Sequence, residues 1–221
     1  RRSQTALRRK RINPYVTRVQ DFPGRLFSFS EVKAELDEIR ELAREKRVIV
    51  ELGSGSGGHL LERAAREPDA RFFGFELRYK RVFRTIEKAI ERGITNVYAL
   101  QTDARFAASI FTPASVCGIY MNFPEPWDRR RWAKHRLMRA ELLDSASTML
   151  CKGGFLAVKS DHKETFLEFA EALEQDTRWS VAKKSLDLHS TPLVAENVTS
   201  EFERMFVTQN LPIHFIEATT N

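Results

Sequence analysis

Apolar residues in this chain gather in short, nearly continuous runs, and these alternate with stretches in which they recur every three or four positions. Arg47–Leu52, Arg71–Glu76, Asn96–Gln101, Ser115–Met121 and Phe155–Ser160 are runs of six or seven residues. Their length and density mark strands buried on both faces. Between them lie helical patterns. The first, Val32, Leu36, Ile39, Leu42 and Ala43, follows Ser28-x-x-Glu31, which has the form of a capping box. Further helices are predicted over 58–66, stopped before Pro68, over 79–92, closing on Gly93, over about 134–150, ended by Gly153-Gly154, and over 163–175. Ser180–Leu188 and Phe202–Glu217 read as two closing strands with no helix between them, the last one antiparallel. This alternation predicts an α/β, Rossmann-like fold: a mostly parallel seven-stranded sheet with helices on both faces and an antiparallel last strand. Residues 31–221 read as a single domain behind a basic N-terminal extension, residues 1–30.

Composition narrows the class. Of 221 residues, 42% are hydrophobic and 30% charged, which excludes a disordered or membrane-spanning chain. No apolar run approaches the roughly 20 residues that a bilayer requires, and no export is expected, since no charged segment followed by an apolar one stands at the start of this sequence. Cys117 and Cys151 are too few for a disulfide scaffold or a zinc quartet. The five histidines show no metal-ligand spacing. No metal, no membrane and a reducing cytoplasm are expected, with Cys117 and Cys151 as buried fillers and His59 and His162 as polar helix-start residues. The net charge of +6 is uneven: residues 1–30 hold eight basic side chains against Asp21 alone, and the remainder carries one more acid than base. A second basic cluster runs through Arg129, Arg130, Arg131, Lys134, Arg136 and Arg139. Both suit a phosphate backbone, because each neutralised phosphate releases condensed counterions.

Glu51-Leu52-Gly53-Ser54-Gly55-Ser56-Gly57-Gly58 ends the first predicted strand and opens a helix. Glycines there let the backbone turn tightly and let a ligand approach its amides. The spacing also fits a dinucleotide fingerprint through Gly53, Gly55 and Gly58. Three acids sharpen the choice. Glu51 precedes the glycines, where a pyrophosphate gains nothing from negative charge and an ammonium gains a salt bridge. Glu76 ends the second strand, where a carboxylate accepts from ribose hydroxyls. Asp103 follows the third strand, beside Ala104, placed for an adenine edge. An amino-acid end, a ribose and an adenine together describe S-adenosylmethionine.

Asn122-Phe123-Pro124-Glu125-Pro126-Trp127 follows the fourth strand, with a carboxylate fixed between two prolines and beside two aromatics. The run Asn122–Arg136 resembles the signature of the bacterial tRNA (guanine-N7)-methyltransferase family, class I methyltransferases dependent on S-adenosylmethionine. The similarity extends through Glu51-x-Gly53-x-Gly55-x-Gly57, Gly74-Phe75-Glu76, Asp103-Ala104, Gly153-Gly154 and Lys159-Ser160-Asp161. It continues through Ser185-Leu186-Asp187-Leu188-His189 and Ser200-Glu201-Phe202-Glu203. Departures are concentrated in the loop: Glu125 stands for the family's aspartate, Arg129 for lysine, Trp132 for histidine and His135 for arginine. Ser160 and Ser200 replace threonines.

The resemblance implies methyl transfer from S-adenosylmethionine to N7 of a guanine in tRNA, at variable-loop position 46. The chemistry of such a transfer gives expected catalytic roles to Glu125 and Asp161, and the expected cofactor site is Glu51, Gly53, Gly55, Gly57, Glu76, Asp103, Ala104 and Asn122. Substrate contacts fall to Arg129, Arg131, Asp161, Ser200, Glu201, Phe202 and Glu203. The expected partner is tRNA, with no obligate protein partner. Phe123 and Trp127 fit either base stacking or core packing. Two alternatives stay open on the residues alone: an RNA-binding protein of the same fold with weak or redirected activity, suggested by the edited loop, and a nicotinamide-dependent oxidoreductase, allowed by the glycine spacing.

Overall fold

A computed structural model describes residues 13–28, 32–44, 46–125 and 137–221. Among the described residues, eight strands form one sheet in the order β1-β4-β3-β2-β5-β6-β8-β7. They are β1 (Leu26–Ser28), β2 (Arg47–Leu52), β3 (Ala70–Phe75), β4 (Val97–Gln101), β5 (Val116–Asn122), β6 (Leu150–Ser160), β7 (Trp179–Ser185) and β8 (His214–Thr220). The first six, from β1 to β6, run parallel, and β8 inserts antiparallel between β6 and β7.

The helices are α1 (Tyr15–Arg18), α2 (Val32–Ala43), α3 (Gly58–Arg66), α4 (Tyr79–Glu91), α5 (Ala107–Ile110), α6 (Ala140–Met149), α7 (Lys163–Gln175) and α8 (Glu201–Thr208). Because strand side chains alternate between faces, β2 sends Val48, Val50 and Leu52 to one core layer and Ile49 to the other. The first layer is closed by Ile39 of α2, Ile110 of α5, Leu143 of α6 and Phe166 of α7, and the second by Leu60 of α3 and Phe83 of α4. Coverage of both faces is why the central strands are nearly continuous in apolar residues, with their polar residues towards the ends.

Three elements differ from the sequence reading. The sheet has eight strands rather than seven, because Leu26–Ser28 adds an edge strand beside β4. Part of the stretch read as extension thus packs on the domain: Tyr15 and Phe22 lie against Phe83, with ring centroids 5.4 and 5.0 Å apart. Residues 1–12, which carry most of the arm's charge, fall outside the described residues, as does Glu31 of the expected capping box. The closing strand pair is interrupted by helix α8, so the final strand is His214–Thr220 alone. Gly153-Gly154 does not stop a helix; α6 ends at Met149 and these glycines lie within β6. Cys117 and Cys151 are half-buried neighbours rather than core fillers. Burial pushes the Cys151 thiol up, and Cys117 adds to the effect.

Candidate active site

β2 is central, and the chain proceeds from it outward in both directions, so β2 and β5 meet where the strand order reverses. Ligands of open α/β sheets bind outside the carboxyl ends of strands at such a point. A crevice of about 700 Å³ opens there. Its walls include Glu51, Gly53, Gly55, Glu76, Asp103, Ala104, Asn122, Glu125, Asp161, Ser200, Glu201 and Phe202. Residues expected at the site from six separate stretches of sequence therefore converge on one cleft.

Glu51, at the end of β2, is only 2% exposed. Asn122 Nδ2 donates to its Oε1 at 3.0 Å, and His59 Nδ1 lies 3.2 Å from its Oε2. Two donors thus hold a buried carboxylate at the base of the crevice. The turn beyond it is built on Gly53 (φ 79°), Gly55 (φ 57°) and Gly57 (φ 78°). A Cβ added at Gly53 or Gly55 would meet no protein atom within 4 Å. These two glycines leave open space at the crevice, as a ligand-bearing turn requires. Gly57 serves a different purpose: a Cβ there would come within 2.6 Å of Thr85 Cγ2 on α4, and Gly57 does not line the crevice.

Glu76 follows β3. Its Oε1 accepts from the Arg78 amide at 2.9 Å and its Oε2 lies 3.4 Å from Arg81 Nη1. Asp103 caps the short turn after β4 by accepting from the Arg105 amide at 2.9 Å, and it also pairs with the Arg105 guanidinium. That pairing holds the exposed Arg105 above its ordinary pKa. Arg78, Arg81 and Arg105 give the crevice a basic rim. Sequence reasoning missed them, although the basic run Arg78-Tyr79-Lys80-Arg81 begins two residues after Glu76.

After β5 the backbone turns sharply. Phe123 adopts φ 52°, unusual for a residue with a side chain, and its amide donates to the Lys159 carbonyl at 2.9 Å. Its ring packs on Phe206 of α8, centroids 5.3 Å apart. This turn presents Glu125 at the crevice mouth, while Asp161 enters from the end of β6. Trp127, Arg129 and Arg131 lie outside the described residues.

The opposite wall is the start of α8. Ser200 and Glu203 form a complete capping box. Phe202 is 46% exposed. Glu201 bonds Lys88 Nζ at 3.0 Å, and that ammonium also donates to the Ser56 carbonyl at 3.2 Å, tying α8 to the glycine turn. Glu203, expected with these residues at the substrate, is fully buried and does not line the crevice. It accepts from Lys159 Nζ at 2.8 Å and from Asn197 at 2.5 Å, and pairs with His189 Nε2 at 2.8 Å. Burial alone would raise its pKa; the Lys159 charge and the donors outweigh that and hold it below the usual value. Lys159 is itself lowered by burial, which Glu203 partly offsets. Glu203 therefore fixes the α8 wall instead of facing the crevice. His59 is likewise more than a helix-start residue, since it pairs with Glu51. His162 does cap α7, accepting from the Thr165 amide.

A methyltransferase family model, described as "Putative methyltransferase", matches residues 45–216. A tRNA (guanine-N(7)-)-methyltransferase of Lachnoclostridium phytofermentans is 34% identical over 171 residues, covering 76% of this chain and 78% of the relative. The chain belongs to the tRNA (guanine-N7)-methyltransferase family. A Brevibacillus brevis protein of the same description is 32% identical, covering 77% of this chain and 79% of its own. Among solved structures, the 16S rRNA methyltransferase KamB shares the fold with a TM-score of 0.59 at 17% identity, covering 86% of this chain and 94% of its own. The family's donor is S-adenosylmethionine, and its fold is that of the class I methyltransferases. A buried, doubly held carboxylate beside two open glycines fits that donor and gives a pyrophosphate no corresponding partner. Among the described residues, no helix is long and apolar enough to cross a membrane.

Proposed function

We propose that this chain methylates N7 of a guanine in the variable loop of tRNA, at position 46, with S-adenosylmethionine as donor. The observation that carries the reading is the convergence of Glu51, the open glycine turn, Glu125 and Asp161 on one crevice at the strand-order reversal. Bound there, S-adenosylmethionine supplies an electrophilic sulfonium methyl. Glu51 accepts from the donor's ammonium, Glu76 from the ribose hydroxyls, and Asp103 with Ala104 flanks the adenine.

Guanine N7 offers a lone pair in the ring plane, so no residue need remove a proton before attack. The methylated ring gains positive charge, and carboxylates fixed beside it stabilise that charge as it develops. Glu125 and Asp161 take this role, and by accepting from the guanine N1–H and N2–H edge they also hold the base in line for transfer. N7 of a stacked A-form guanine faces a deep, narrow groove, so the base must leave its stack. Phe202, exposed on the α8 wall, offers an apolar surface to it, and Ser200 and Glu201 bound the same side. Arg129, Arg131 and the basic arm contact tRNA phosphates. The enzyme works in the cytoplasm without an obligate protein partner.

Labelled methyl transfer to an unmodified tRNA transcript, followed by chemical cleavage at 7-methylguanosine, tests the reading. One cleavage in the variable loop is expected. Label at another base, or none, refutes it; none with tRNA still bound would leave an RNA-binding protein of this fold.

A further inference from the structure

His59, in the first turn of α3, is 2% exposed and sits between Glu51 and Tyr120, whose ring it meets edge-on at 4.8 Å between centroids. Arg63, one turn further along α3, stands over the same Tyr120 ring at 5.0 Å. With Nδ1 3.2 Å from Glu51 Oε2, the proton belongs on Nδ1, because an ionised carboxylate can only accept. The imidazole then leaves Nε2 as an acceptor, and that atom is buried without a hydrogen-bond partner among the described residues. An unmet polar atom in a packed interior is costly, and an apolar side chain filling the same space against Tyr120 would avoid the cost. Packing therefore does not account for a histidine here, whereas the Nδ1–H bond to Glu51 does.

We infer that His59 is a positioning residue for the donor's amino-acid end: with Asn122 it clamps Glu51 from both sides, so that the remaining lone pairs of the carboxylate face the crevice. The inference rests on the assignment of Glu51 to the donor's ammonium. His59 donates along one oxygen and Asn122 along the other, which fixes the rotation of the carboxylate and supports its charge out of water. Without the His59 donor, one carboxylate oxygen loses its fixed partner and the group is free to turn away from the ammonium, which weakens that contact. Recognition of the adenosine end does not pass through this contact.

Calorimetry with S-adenosylhomocysteine and with 5′-methylthioadenosine, which lacks the amino-acid end, separates the two halves of the site. His59→Leu and His59→Gln should weaken S-adenosylhomocysteine binding about 10- to 100-fold, the scale of one charge-assisted hydrogen bond, and leave 5′-methylthioadenosine binding unchanged. His59→Asn, whose amide nitrogen falls where Nδ1 lies, should restore most of the affinity. In turnover, the leucine variant should raise KM for S-adenosylmethionine with kcat at saturation little changed. Unchanged S-adenosylhomocysteine affinity in the leucine and glutamine variants, or equal loss of both ligands, would overturn the inference. Should the leucine variant not fold, the asparagine–glutamine pair decides alone. Glu51→Gln distinguishes the two levels. If it leaves the preference for S-adenosylhomocysteine intact, the Glu51 assignment fails and takes the inference with it. If it abolishes the preference while the His59 variants do not, only the role of His59 fails.

Discussion

Replacing Glu203 by alanine should be among the most damaging single changes outside the apolar core. The carboxylate is fully buried and its partner Lys159 is 4% exposed, so truncation strands an ammonium whose remaining acceptor among the described residues is the Val198 carbonyl at 2.9 Å. Breaking a buried pair in this way costs about 3–5 kcal/mol. The Ser200 amide also loses its acceptor on Glu203, while the Ser200 hydroxyl still caps the amide of residue 203. The cost is a large part of the roughly 5–15 kcal/mol that stabilises a typical domain. Urea unfolding followed by circular dichroism measures it, with Lys159→Met/Glu203→Leu as the control. The double variant should be markedly more stable than Glu203→Ala, since it removes both charges. Because Glu203 is held below its unfolded value, its contribution is complete above about pH 4.3. It disappears as pH falls through the lower folded value. The wild type should accordingly lose stability more steeply on acidification than the double variant. A loss below about 1 kcal/mol in Glu203→Ala, or no recovery in the double variant, would refute the reasoning.

Other outcomes follow from the crevice and the charge distribution. Glu125→Gln and Asp161→Asn should each lower kcat for methyl transfer by about 10²-fold, the scale of one preorganised electrostatic contact, while S-adenosylhomocysteine still binds in calorimetry; near-normal turnover in both would remove them from the chemistry. Deleting residues 1–11 should weaken tRNA binding and flatten its salt dependence, by close to one unit of slope for each phosphate no longer neutralised, with donor affinity unchanged. Gly55→Val should abolish donor binding, because a β-branched residue is strained at φ 57° and its side chain would occupy space the protein leaves open; retained affinity would mean that the turn is not the cradle.

Most of the sheet was legible because central strands buried on both faces are nearly continuous in apolar residues, and β2 and helix α7 match their predicted bounds. β1 escaped notice because three residues carry no periodicity; its existence depends on pairing with β4. Helix α8 was read as strand because Phe202, Phe206 and Val207 merge with the apolar run of β8, yet Ser200-x-x-Glu203 marked its start. The acids at the strand ends were visible as acids, and their convergence followed from the topology. Pairing was not visible: His59 meets Glu51, and Glu203 meets Lys159, across 8 and 44 residues of chain, which no local pattern encodes. For the same reason Glu203 is expected at the substrate from its sequence neighbours, whereas it is buried against Lys159.

The central claim is that Glu51, Glu76 and Asp103, at the carboxyl ends of β2, β3 and β4, receive the methyl donor. A crystal grown with S-adenosylhomocysteine tests it directly. The ammonium should lie within hydrogen-bond distance of Glu51, the ribose hydroxyls at Glu76 and the adenine beside Asp103 and Ala104. Density for the ligand elsewhere, or a saturated crystal with the crevice unfilled, would contradict it.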